Sequence, residues 1–86
     1  MSFRIEYSRR AQRSLRSFNR DIRRRILEKM ATLHDNPFPR GVLKLRGEEN
    51  VYLLRIGDYQ VLYEVYLERG AILIVKIDHR SIVYGP

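Results

Sequence analysis

Residues 51–66, VYLLRIGDYQVLYEVY, leave this chain few ways to fold. Two runs rich in β-branched and aromatic residues flank Gly57-Asp58. Glycine takes positive φ at the first turn position without steric cost, so the stretch predicts a hairpin closed by a two-residue loop. The loop sets a register in which Ile56 faces Tyr59, Arg55 faces Gln60, Leu54 faces Val61 and Tyr52 faces Tyr63. Because side chains alternate across a strand, Tyr52, Leu54, Ile56, Tyr59, Val61, Tyr63 and Val65 share one face. Leu53, Arg55, Gln60, Leu62, Glu64 and Tyr66 share the other. The first reads as core; the second mixes apolar and charged groups.

Ahead of the hairpin, Phe3, Ile5 and Tyr7 alternate with Arg4 and Glu6, the period of a half-buried strand. Ser8 is a helix cap, and Ala11, Leu15 and Phe18 follow at helical spacing. A second stripe runs through Ile22, Ile26, Met30 and Leu33. Asn19, tolerant of the left-handed conformation, is expected to break the helix and Asp21 to restart it, giving an antiparallel pair over 9–18 and 21–34. Neither helix is stable alone, so both must pack on a sheet. Asp35-Asn36-Pro37-Phe38-Pro39 ends the second helix, since proline lacks an amide proton and disfavours helical geometry in the residue before it. If residues 42–47 are extended, Lys44 and Arg46 fall on one side.

Beyond the hairpin, Glu68-Arg69-Gly70 reads as a three-residue loop with Leu67 opposite Ala71, and residues 71–78 as a further strand. That register puts Leu62 opposite Lys76, Gln60 opposite Asp78 and Tyr59 opposite His79. It gathers Arg55, Gln60, Lys76, Asp78 and Arg80 on one face. A slip of one residue would expose Val75 and Ile77 and turn Lys76 into the core. The expected fold is α+β, with element order β-α-α-β-β-β, two N-terminal helices on one face of a curved, mainly antiparallel sheet, and a single domain over residues 1–86.

Charge narrows the choice of partner. Lys and Arg number 17 against 10 Asp and Glu, a net charge of +7, and eight arginines lie between Arg9 and Arg25 with Asp21 the only acid among them. Arginine offers a planar fork that grips phosphate or carboxylate with two hydrogen bonds, so nucleic acid or an acidic protein is the natural partner. The arginine run is equally the solvated outer face that any helix pair needs. The absence of cysteine excludes disulfides, thiolate metal sites and thiol catalysis. No apolar run approaches the roughly 20 residues of a membrane helix, and SFRIEYSRR has no signal-peptide stretch, so a cytoplasmic location is expected.

Several stretches carry a family resemblance: Lys44-Leu45-Arg46-Gly47, the hairpin from Tyr52 to Val65, and Ile77-Asp78-His79-Arg80 followed by Val83-Tyr84. Together with the element order, they resemble the RelE/ParE superfamily of toxins from bacterial and archaeal toxin–antitoxin systems. The resemblance implies a RelE-like fold and a type II toxin neutralised by a cognate antitoxin that wraps it and represses the shared operon. In the RelE branch it implies a ribosome-dependent endoribonuclease that cuts messenger RNA in the A site. In the ParE branch the target is DNA gyrase. A third reading is a weakened toxin that acts mainly in antitoxin binding and operon autoregulation. By position, the resemblance assigns catalytic roles to Arg55, Arg80 and Tyr84. Leu53 stands where some members carry lysine, Gln60 where most active RelE-type members carry arginine, and Asp78 where glycine usually precedes the basic pair.

Cleaving RNA without a metal requires the ribose 2′-hydroxyl to attack its own phosphate. The enzyme must align the attack, stabilise charge on phosphorus and move protons. Arg55 and Arg80 suit the charge, and Lys44, Arg46 and Lys76 are candidates for guiding the RNA backbone. Arginine stays protonated and is a poor base. Gln60 and His79 are further catalytic candidates, although alternation puts His79 with Tyr59 on the core side. His34 beside Asp35 reads as a helix-end residue. No metal-ligand cluster, phosphate-cradling glycine loop or nucleophile triad is present, so no metal or cofactor is expected. The expected partners are an acidic, partly disordered antitoxin and the ribosome with its messenger RNA. DNA would be met only through the antitoxin complex.

Overall fold

The computed structural model describes residues 2–80. Strand β1 (Arg4–Tyr7) leads into helices α1 (Arg9–Ser17) and α2 (Arg20–Thr32), then strands β2 (Leu43–Lys44), β3 (Val51–Ile56), β4 (Tyr59–Tyr66) and β5 (Ala71–His79). The five strands form one mixed sheet in the order β1-β5-β4-β3-β2, with only the β1–β5 pair parallel. Four of the strands and both helices match the expected order. The fifth, β2, is an addition: a two-residue strand is too short to show periodicity, and its pairing with Leu53 and Tyr52 supplies the order that its sequence does not.

Each helix starts on a side-chain cap. The Ser8 Oγ accepts from the Ala11 amide at 3.0 Å, and the Asn19 Oδ1 accepts from the Ile22 amide at 3.0 Å. Asn19 therefore interrupts the helical stretch differently from the expected left-handed break. It is extended, with φ −68° and ψ 166°, and it caps α2. The loose end of α1 is closed by Arg23, whose guanidinium donates to the carbonyls of Leu15 and Phe18 at 2.8 Å and of Arg16 at 3.5 Å. The Leu15 carbonyl also accepts from the Phe18 amide at 3.3 Å, and the guanidinium adds a side-chain donor at a helix end where backbone donors run out.

Ala11 and Leu15 of α1 and Ile26 and Met30 of α2 face Leu54, Val61, Tyr63, Ile72, Ile74 and Ile77 of the sheet, forming one core. Tyr63 lies at its centre, wholly buried, with its hydroxyl donating to the Pro37 carbonyl at 2.7 Å. Burial, with a smaller contribution from neighbouring Tyr52, pushes the Tyr63 phenol far above its ordinary pKa, so it stays a donor. The Tyr52 ring packs between those of Phe38 and Tyr63, fixing the proline-containing loop onto β3. On the opposite face of the sheet a smaller cluster joins Val51, Leu53 and Leu62, with Leu45 of the β2 turn folded against it.

The hairpin register is as expected: Ile56 pairs with Tyr59, Arg55 with Gln60, Leu54 with Val61 and Tyr52 with Tyr63. Gly57 has φ +57° and no other residue type among the described residues has positive φ, so the turn needs its glycine at this position. The β4–β5 connection differs from expectation. Tyr66, not Leu67, faces Ala71, and residues 67–70 form a four-residue loop with a 3₁₀ turn over Leu67–Arg69 and Gly70 in the left-handed region. The strand thus leaves the loop one residue out of the expected register, with Ile72 and Ile74, rather than Leu73 and Val75, in the core.

A β-bulge removes the slip. Tyr63 pairs with Ile74, but Leu62 pairs with Lys76, leaving Val75 without a cross-strand partner; from there Gln60 faces Asp78 and Tyr59 faces His79, as expected. Continuing the slipped register would expose Ile77, forfeiting about 1.5–3 kcal/mol of burial, and would drive an ammonium into the core at still higher cost. One lost ladder hydrogen bond, worth about 0.5–1.5 kcal/mol, is the smaller loss. The bulge lies where β1 ends, and Ser8 holds it there: its amide donates to the Ile74 carbonyl at 2.9 Å and its hydroxyl to the Val75 carbonyl at 2.7 Å.

Ser8→Ala removes both the cap and the partner of the bulge carbonyl, and should cost about 1–2 kcal/mol. In thermal unfolding, each kcal/mol lowers the midpoint by about 4–8 °C for a domain of this size. Arg23→Leu, which removes the side-chain donors at the end of α1, should cost about 1–3 kcal/mol. Arg24→Ala should change stability by less than about 0.5 kcal/mol, because Arg24 is exposed and its contact with Asp21 spans 3.9 Å. Urea titration of the pair checks that contrast.

Candidate nucleic-acid interface

The helices cover one face of the sheet. On the other face, near the hairpin turn, Arg55, Gln60 and Asp78 form one cross-strand row, and Lys76 stands in the next row beside Leu62. Residues paired across strands point to the same side, so these four share a face. Arg55 is exposed, Lys76 and Asp78 are half-buried, and Gln60 on the central strand is only 6% exposed. Among the described residues no fully buried side-chain nitrogen or oxygen lacks a hydrogen-bond partner, and Gln60 has an interaction partner of its own where it lies. The apolar cluster of Val51, Leu53 and Leu62 borders this polar group along the sheet. A charged row beside an apolar floor can hold a phosphate and leave room for a base.

Arg80 belongs to the same end of the sheet. Its amide donates to the Asp58 carbonyl at 2.6 Å, and its Nη1 lies 3.7 Å from the Asp58 Oδ1. Both side chains are largely exposed, so the ion pair is weak and a phosphate can compete for the guanidinium. The role of Asp58 was missed in the sequence, where it read as a turn residue alone. The signal was present: the register that places His79 opposite Tyr59 places Arg80 opposite Asp58.

Other expected site residues lie elsewhere. Lys44 pairs with Tyr52 and so leaves the sheet on the helix-bearing side, away from Arg55 and Lys76. Arg46 is exposed in the turn after β2, which also carries Glu48 and Glu49. The expectation that Lys44 and Arg46 lie along one extended side does not hold, because the strand ends at Lys44. His79 meets the edge of the Tyr59 ring at 5.3 Å, and Tyr59 packs on Phe18 at 4.9 Å, which places His79 on the helix side as alternation indicated. Tyr84 lies outside the described residues.

The helical arginines divide by task. Arg23 is half-buried and committed to backbone carbonyls, while Arg9, Arg10, Arg13, Arg16, Arg20, Arg24 and Arg25 are exposed. The molecule therefore carries positive charge on its helical surface as well as at Arg55, Lys76 and Arg80. At the far end of β4 the pattern changes: the Tyr66 hydroxyl donates to Glu64, and Arg69 lies over the Tyr66 ring at 5.0 Å. The hydrogen bond to Glu64 raises the Tyr66 pKa above its ordinary value. Among the described residues no group of three or more His, Asp or Glu side chains could share a metal ion, and no helix is long and apolar enough to cross a membrane.

Comparison with known proteins bears on the fold and the family. The candidate toxin RelE1 of Methanocaldococcus jannaschii is 31% identical over 87 aligned residues, covering 98% of this chain and 97% of that protein. A chain of the archaeal RelE–RelB complex of Pyrococcus horikoshii OT3 superposes with a TM-score of 0.84 at 32% identity, covering 96% of this chain and all of that one. A chain of the toxin–antitoxin complex RelBE2 of Mycobacterium tuberculosis gives a TM-score of 0.81 at 26% identity, over 93% of this chain and all of that one. The intact Escherichia coli RelBE complex, at 19% identity, shares the fold, with a TM-score of 0.80 over 91% of this chain and 96% of that one. The family model for the ParE toxin of the type II toxin–antitoxin system parDE matches residues 5–84. The chain is thus a type II toxin of the RelE/ParE superfamily, and belongs to the ParE toxin family within it.

Proposed function

We propose that this toxin is a ribosome-dependent endoribonuclease that cuts messenger RNA in the A site. The observation that carries the reading is that Arg55 and Arg80 are both exposed at one end of the sheet, beside the row through Gln60 and Asp78 and the ammonium of Lys76. In the reaction the ribose 2′-oxygen attacks the adjacent phosphorus and the bond to the 5′-oxygen breaks. The products are a 2′,3′-cyclic phosphate and a 5′-hydroxyl. Negative charge grows on the non-bridging oxygens, and two guanidiniums that never lose their protons are suited to hold it. They cannot accept the proton of the 2′-hydroxyl, so the base comes from elsewhere. Tyr84, outside the described residues, is a catalytic candidate beside Gln60 and His79, as a stacking or proton-handling group. Such a toxin needs the ribosome to complete its geometry, and acts in the cytoplasm with no cofactor.

The partner that restrains it is an antitoxin, as in the complexes formed by the RelE chains of P. horikoshii and M. tuberculosis. We infer an acidic, partly disordered protein, since seven exposed arginines offer it a charged track. DNA would be engaged only through that complex.

A gyrase inhibitor is the second reading. It is favoured by the buried, uncharged Gln60 at the centre of the row and by the ParE family match. A weakened toxin that serves mainly in operon control draws on the same Gln60.

Expression without antitoxin separates these readings. The nuclease should arrest growth with cuts phased to codons, and Arg55→Ala or Arg80→Ala should each slow cutting by about 10²–10³-fold, as for loss of one charge-stabilising donor. Intact message with a DNA-damage response points to gyrase, and no arrest points to the weakened toxin. Gln60→Arg should strengthen cutting and still fold, because Asp78 on the neighbouring strand can pair with the new charge. At a position this buried the cost in stability should be about 1–3 kcal/mol.

A further inference from the structure

Behind the hairpin turn, on the helix side of the sheet, lies a cleft of about 240 Å³ that the proposed reaction does not use. Ile22 and Ile26 of α2 and Ile56 of β3 form its apolar wall, and Tyr59 and His79 contribute rings. Those rings meet edge to face, at 88° and 5.3 Å between centroids, so a planar heterocycle can lie against one while touching the edge of the other. The cleft is smaller than the roughly 300–1,000 Å³ of a pocket for a drug-sized ligand. A single flat ring suits it, whereas a length of helix or strand does not.

Arg25 closes the cleft from the helix side. Its guanidinium reaches over the turn, so that a Cβ at Gly57 would stand 3.4 Å from Nη2. Its neighbours in sequence are occupied otherwise: Arg23 caps α1 and Arg24 leans towards Asp21. Among the described residues Arg25 makes no ion pair or side-chain hydrogen bond. On the turn itself, Asp58 lines the cleft and also faces Arg80. A ring with N–H donors thus finds a carboxylate acceptor, and a phosphate at the mouth finds Arg25. Since Asp58 both lines the cleft and faces Arg80, the cleft opens close to the Arg80 guanidinium.

We propose that this cleft is a subsite for one base of single-stranded RNA next to the cleaved phosphate, with Tyr59 and His79 as its stacking surface and Arg25 as its phosphate clamp. The inference rests on the nuclease reading and extends it around the turn, to a face of the sheet opposite Arg55. Stacking and cation–π contacts with bases are tolerant of sequence, so the subsite contributes affinity and register along the message more than base selection.

The test is titration of the isolated full chain with adenosine 5′-monophosphate, a short single-stranded RNA and inorganic phosphate, read as amide shifts by NMR. The nucleotide and the RNA should move Ile56, Gly57, Asp58 and His79. Arg25→Gln should weaken both by about tenfold, and Arg25→Lys should restore only part of this, since an ammonium lacks the planar fork. Arg24→Gln, on the outer face of the helix, should leave both unchanged, and unfolding midpoints check that each variant folds. Phosphate producing the same shifts as the nucleotide overturns the base subsite. So does RNA binding confined to Arg55, Gln60 and Asp78 and indifferent to Arg25→Gln, and that result leaves the nuclease reading intact. Arg25→Gln weakening the antitoxin complex and not RNA binding assigns the cleft to a protein and also overturns it. If the wild type neither binds RNA nor cuts message on expression, both readings fall together.

Discussion

The hydroxyl of Ser8 does two things at once, and the rest of the molecule depends on their coincidence. It accepts from the first turn of α1 and donates to the carbonyl of Val75, the residue that bulges out of β5. The first bond starts the helix; the second satisfies a carbonyl that the β4–β5 ladder leaves without a partner. A buried polar group left unpaired costs about 1–3 kcal/mol, so the bulge and the cap stabilise each other. The junction between β1 and α1 is thereby locked to the point where β5 changes register.

That change of register determines which side chains reach the candidate interface. Before the bulge, Ile72 and Ile74 fill the core; after it, Ile77 does, and Lys76 and Asp78 turn to the opposite face. A sheet with a four-residue loop and no bulge would have the opposite arrangement. The polar row at Arg55, Gln60 and Asp78 therefore depends on a backbone irregularity some distance away, which is held by a single serine. Gly57 and Asp58 then close the hairpin and tie Arg80, the residue directly after β5, to its end, while Arg55, Lys76 and Asp78 stand on the strands themselves.

The arginines show why composition alone is an incomplete guide to a charged surface. Eight lie within α1, α2 and their junction, and they look equivalent in sequence. In the structure Arg23 is a structural element that replaces a helix cap, Arg24 stands on the outer face, and Arg25 bends over the hairpin turn. Only their positions around the helix and the chain that packs beside it separate these tasks.

Much of the fold was legible before any coordinates: the hairpin with its pairs and its core face, the two amphipathic helices and the capping role of Ser8 all follow from local periodicity and turn chemistry. The candidate row of Arg55, Gln60, Lys76 and Asp78 was legible too, although by a route that missed two compensating irregularities, the longer loop and the bulge. The two-residue β2, the extended cap at Asn19, the separation of Lys44 and Arg46 from the row, and the pairing of Asp58 with Arg80 were not foreseen. What the sequence determined by itself were the features set within a few residues, where side-chain alternation, helical spacing and a turn glycine act locally. Tertiary structure alone decided the location of the bulge, the partner of each arginine and the cleft behind the turn. These depend on which distant backbone groups need a hydrogen bond and which apolar side chains compete for the core, and a one-dimensional pattern does not contain that competition.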